Sequence, residues 1–145
     1  MANLAVRTPD YFTTEVVRYL KTELSSYADK IYKKEKPVPL KDEDFIVVNS
    51  LPVTFGKALN DDTIVNVNVH VKKTNAGTAD TARLNEILTD LLPLLRFDKG
   101  TEDSEPLRLA NDFDIIADSI YPEEEDATSG TYYTNIRLKV IYSQI

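Results

Sequence analysis

The chain has 145 residues, 42% hydrophobic and 28% charged, enough for one domain with a substantial apolar core. It has no cysteine, which excludes disulfides, a thiolate nucleophile and a cysteine-ligated metal. A net charge of −7 argues against a partner gripped through its phosphates.

The charge is uneven. Between Asp98 and Asp126 stand eleven acids and two bases, a net of −9, so the remaining residues carry +2. No apolar run approaches the roughly 20 residues that span a bilayer. The first residues lack a basic region followed by an apolar run, so a cytoplasmic location is expected.

Thr8-Pro9-Asp10 reads as a helix start, with Thr8 as cap and Pro9 where its missing N–H does no harm. Thr13, Val16, Val17, Leu20, Leu24, Tyr27 and Ile31 keep helical spacing, which predicts a helix over about 9–30. Lys33, Lys34 and Lys36 read as a solvated helix end rather than a phosphate patch. Pro37 and Pro39 then favour extended chain.

A strand is expected over about 44–55, apolar on both sides in Phe45–Val48 and marked by Pro52. Asn60-Asp61-Asp62 is a polar turn, which makes antiparallel pairing with the next strand the easiest solution. That strand, about 63–73, has the clearest pattern in the chain. Val65, Val67, Val69 and Val71 point one way; Asn66, Asn68, His70 and Lys72 point the other, to a wet face. After the turn Thr74–Gly77, Leu84, Ile87, Leu88, Leu91 and Leu95 form a helical stripe. A helix is predicted over about 79–92, stopped or bent at Pro93.

Further strands are predicted over about 112–121 and 131–143, joined by the acidic hairpin loop Pro122–Gly130. The expected fold is α+β: a four-stranded, mostly antiparallel sheet in a single domain, with two amphipathic helices on one face.

Candidate chemistry is sparse. Asp112, Asp114 and Asp118 share one face of an ideal strand but span about 20 Å, too far for one Mg²⁺. Glu123–Asp126 lacks the spacing of a calcium loop. His70, the only histidine, has no serine or carboxylate beside it in sequence that suggests a triad. The four glycines are too scattered for a phosphate loop. No catalytic, cofactor-binding or metal-binding residue is assigned.

The order of elements carries a resemblance. A leading helix runs into a proline-containing connection. A strand pair follows, containing Val65-Asn66-Val67-Asn68-Val69-His70-Val71, then the helix with Ala82–Leu88, then a closing pair with Tyr132–Val140. Over about residues 10–143 this resembles the tail-terminator, or tail-completion, proteins of tailed bacteriophages and prophages. The resemblance implies a non-enzymatic ring, usually a hexamer, that ends the tail tube and joins it to the head. Its partners would be further copies, tail-tube and head-connector proteins, with DNA only passing through and no membrane contact. Its place would be the host cytoplasm during assembly and the virion tail afterwards. An acidic ring would let DNA slide without sticking. The expected interface is the polar sheet face of Asn66, Asn68, His70, Tyr133, Asn135, Arg137 and Lys139. The first helix and the Asp98–Leu109 loop are long for the pattern. Two alternatives compete: a protein–protein interaction module of a cellular complex using the same face, and a small metal-dependent hydrolase using Asp112–Asp118.

Overall fold

Of the 145 residues, the computed structural model describes 8–34, 44–51, 63–97, 106–126 and 130–141. Helix α1 is Pro9–Glu23. Thr8 is extended, and its Oγ1 accepts from the Tyr11 N–H at 3.2 Å, which satisfies one of the helix's orphan donors. Phe12, Thr13, Val16, Val17 and Leu20 form its buried stripe.

The helix ends at Glu23 rather than near Lys30. Leu24 leaves helical conformation (φ −108°, ψ 57°), and Ser25–Lys30 winds as a 3₁₀ turn. Serines compete for backbone hydrogen bonds instead of extending an α-helix, and two stand here in succession. Ile31, placed by its spacing on the helical stripe, instead opens strand β1 (Ile31–Lys33) and lies opposite Ile46. Lys33 and Lys34 clasp the Asp10 carboxylate at 2.8 and 3.1 Å, tying β1 to the start of α1. Hydrogen bonds from Lys33 and then Lys34 hold the Asp10 carboxyl below the ordinary aspartate range.

Strands β2 (Phe45–Ser50) and β3 (Ile64–Lys72) pair antiparallel, while β1 runs parallel to β2. Helix α2 is Thr81–Leu94, capped by Asp80, whose Oδ1 accepts from the Arg83 N–H at 3.1 Å. Of the two expectations, a stop near Leu92 or a bend at Pro93, the stop is overturned: the helix runs through Pro93 to Leu94. The proline falls in the last turn, where one ladder bond is lost, and the Leu95 N–H still reaches back to Leu91 and Leu92. Then come β4 (Leu107–Leu109), β5 (Phe113–Ile120), β6 (Glu124–Asp126) and β7 (Thr131–Ile141).

The four-stranded sheet expected from the pattern is therefore corrected. The fold is mixed α/β, and among the described residues seven strands curl into a half-barrel. Their order is β1-β2-β3-β7-β5-β4, with β6 beside β7. Three of the strands have three residues each, too few to show period-two alternation. Two of these, β4 and β6, lie within segments expected to be loops. The expected features at Lys36–Pro39, Pro52–Phe55, Asn60–Asp62, Lys99–Ser104 and Tyr142–Ser143 lie outside the described residues.

Both helices pack on the valine side of the sheet. Val65, Val67, Val69 and Val71 are fully buried in one cluster with Phe12, Val16 and Leu20 of α1 and Leu84, Ile87 and Leu91 of α2. Burying each such side chain contributes about 1.5–3 kcal/mol. Tyr19 links the helices: its hydroxyl donates to the Leu94 carbonyl at 2.9 Å, and burial raises its phenol pKa.

Asp44 closes the end of the β2–β3 pair. One carboxylate oxygen accepts from the Lys72 N–H at 3.2 Å and the other from Arg83 Nε at 2.7 Å, which joins α2 to the sheet. The pairing also raises the Arg83 guanidinium pKa. Asp44→Ala removes both charge-assisted bonds and is expected to cost about 1.5–3 kcal/mol in urea unfolding, with the m-value unchanged.

Candidate functional site

The sheet's other face carries the polar residues singled out in the sequence. Register decides which of them meet. Asn66 lies opposite Asn49 on one side and Arg137 on the other; Asn68 lies opposite Val47 and Asn135; His70 lies opposite Phe45 and Tyr133. The face is therefore organised in rows that run across the strands.

The first row is aromatic. His70 is sandwiched between Phe45, with ring centroids 4.3 Å apart, and Tyr133, at 5.0 Å. Tyr32 meets Phe45 edge-on at 6.4 Å, so the row crosses β1, β2, β3 and β7. Tyr133 ends it by donating its hydroxyl to Glu124 Oε2 at 3.2 Å. Burial, then Glu124, pushes the Tyr133 phenol pKa up.

The second row is an amide network. Asn135 Nδ2 donates to Asn68 Oδ1 at 2.7 Å and Asn66 Oδ1 at 3.2 Å, and Asn66 Nδ2 donates to Asn49 Oδ1 at 3.1 Å. Arg137 Nε donates to Asn135 Oδ1 at 3.1 Å, while its guanidinium lies 4.7 Å from the Tyr121 ring centre. Chained polar groups of this kind polarise and hold one another.

The wet face expected for β3 is thus corrected at two positions. Asn66 is 5% exposed and His70 7%, because neighbours on adjacent strands cover them. Asn68, Tyr133, Asn135 and Arg137 are half-buried. Lys139 is exposed and stands apart from both rows, opposite Ile64 and Ile116.

A groove of about 340 Å³ opens where the pairing along β7 is interrupted. Tyr121-Pro122-Glu123 separates β5 from β6, and both of those strands pair with β7. Proline has no N–H to give the ladder, so the strand breaks there. Asn66, Asn68, Tyr121, Glu124, Asn135 and Arg137 are among the groove's lining. Tyr121, Glu124 and Asn49 were not legible as site residues in the sequence. The break at Pro122 marks the first two, and an antiparallel register of β2 against β3 marks the third.

Thr131, His70 and Asp126 have the composition of a hydrolytic triad but not its geometry. Thr131 Oγ1 at 2.9 Å and Asp126 Oδ2 at 4.0 Å both approach Nδ1, whereas a relay needs nucleophile and acid on opposite ring nitrogens. Thr131 is also 1% exposed.

The three aspartates weighed as metal ligands diverge. Asp112 precedes β5 and accepts from the Tyr11 hydroxyl at 2.8 Å; Asp114 lies 3.5 Å from Arg108 Nη1; Asp118 sits at a β-bulge and accepts from Ser119 Oγ at 3.0 Å. Among the described residues no three His, Asp or Glu side chains gather to hold a metal ion. No helix among them is long and apolar enough to cross a membrane. No protein-family model matches the chain, and none of the curated proteins is a match.

Proposed function

We propose that the protein is a structural assembly component that acts by docking to copies of itself and to neighbouring proteins, as a ring that terminates a phage or prophage tail tube and joins it to the head. One observation carries this reading: the polar side chains at the centre of the non-helical face, Lys139 standing apart, are committed to one another. Asn49, Asn66, Asn68 and Asn135 bond among themselves, Arg137 rests on Asn135 and Tyr121, and Tyr133 bonds Glu124. Such a face is a rigid surface held in one shape, which suits repeated docking more than proton transfer.

The composition supports the same reading, since the acidic balance keeps passing DNA from adhering. The order of the longer elements, helix, two strands, helix, two strands, is the pattern on which the tail-terminator resemblance rests. Light scattering and native mass measurement over a concentration series test the proposal. A discrete closed oligomer, visible as rings by negative-stain microscopy, is expected. A monomer at the highest concentration that also fails to bind tail-tube protein ends the reading.

A further inference from the structure

If copies of the chain form a ring, as proposed above, each must offer two surfaces that fit one another. Strand β4 covers β5 only at Phe113–Ile115. Beyond it, no described strand lies on the outer side of Ile116–Ile120. At the end of this run stand Ile120 and Tyr121, each 42% exposed and, with Ile141, the exposed large hydrophobic side chains among the described residues.

The corner is built for side-chain contact rather than for strand addition. A β-bulge between Ala117 and Ser119, the exposed Asp118 and the break at Pro122 all blunt the edge against an incoming strand. Tyr121, by contrast, is held in place by the Arg137 guanidinium stacked on it, and Arg137 is held by Asn135. An aromatic ring fixed before binding loses little freedom on binding, and such tyrosines anchor interfaces.

Charge selects the surface that meets this corner. Asp118 and Glu123 flank the two apolar side chains, within the segment of net −9. Two such corners facing each other would set acid against acid, so the contact is not with itself. The complementary surface lies at the opposite end of the strand order, where Lys30, Lys33 and Lys34 border β1. Against them stand Asp29 and the one Asp10 carboxylate that Lys33 and Lys34 share, three bases to two acids for a net of +1, and the Lys34 side chain is 67% exposed. We infer that the Ile120–Tyr121 corner of one copy docks on the lysine-bordered β1 flank of a second copy. A contact between two different surfaces of the same chain propagates head to tail and closes as a ring when the rotation permits.

Engineered thiols test this directly, because the chain has no cysteine of its own. Full-length Asp118→Cys and full-length Lys34→Cys are prepared separately, one carrying a size tag. Each is treated with a flexible bismaleimide spanning about 17 Å, roughly five residues of strand. A linked dimer is expected when the two variants are mixed, and none from either alone. Ile120→Asp is expected to weaken self-association by roughly tenfold or more while the chain keeps its folded circular-dichroism spectrum. A dimer from Asp118→Cys alone overturns the inference by showing a self-paired corner. A wild-type ring whose mixed variants give no dimer, or whose Ile120→Asp form keeps its affinity, overturns it too and leaves the ring reading standing. A wild-type chain that is monomeric throughout removes both.

Discussion

Phe113→Ala is expected to lower stability by about 3–5 kcal/mol, the largest single-residue effect forecast for this chain. Phe113 is completely buried at the first position of β5. Its ring meets Phe12 edge-on at 4.8 Å and Tyr11 at 5.8 Å, so truncation leaves a cavity and also breaks an aromatic triangle. The same corner carries the Tyr11 hydroxyl bond to Asp112. A loss of this size is a large fraction of an ordinary domain's total and moves the thermal midpoint down by about 10 °C or more. Calorimetry at matched concentration checks it. A shift below about 3 °C would mean that the α1–β5 seam is not part of the cooperative core.

Asn135→Leu is the second. Leucine branches at the same carbon as asparagine, so the change bears mainly on the hydrogen bonds. It deprives Asn66 Oδ1, Asn68 Oδ1 and Arg137 Nε of their shared partner, and Asn66 is too buried for water to replace it freely. An orphaned buried polar group costs about 1–3 kcal/mol, so a loss near the upper end, about 3 kcal/mol, is expected. The network makes a sharper forecast. Asn66→Ala should cost less in the Asn135→Leu background than in the wild type, with a coupling of about 0.5–3 kcal/mol. Additive losses in the double-mutant cycle would show that the amides are neighbours rather than a network.

The parts of the fold legible beforehand are those where burial repeats with a fixed period. The four valines of β3 and the leucines of α2 are such parts, and Thr8 with Pro9 marks the start of α1. What stays hidden depends on partners distant in the chain. Ile31 fits a helical stripe as well as it fits a strand, and Ile46 opposite it decides the matter. Glu124, Glu125 and Asp126 have little strand propensity, yet pairing with Tyr133, Tyr132 and Thr131 draws them into β6. The polar face is legible as a set of residues but not as a surface. Alternation says that Asn66 and His70 turn away from the valines; only the register against β2 and β7 says that Phe45, Tyr133 and Asn135 then cover them. The aspartates of β5 fail as a group for a similar reason, since a bulge after Ala117 breaks the strict alternation that their shared face assumes.

Three consecutive residues at the start of α1 reach from β1, at one end of the strand order, to β5, the strand next to the other end. Asp10 is clasped by Lys33 and Lys34 beside β1, while Tyr11 and Phe12 meet Asp112 and Phe113 at the start of β5. During synthesis this helix leaves the ribosome long before the strand against which Tyr11 and Phe12 pack. Its final docking therefore waits for the C-terminal strands. A nascent chain halted before Phe113 holds the apolar stripe of α1 only partly covered, in the form most open to chaperones and proteases.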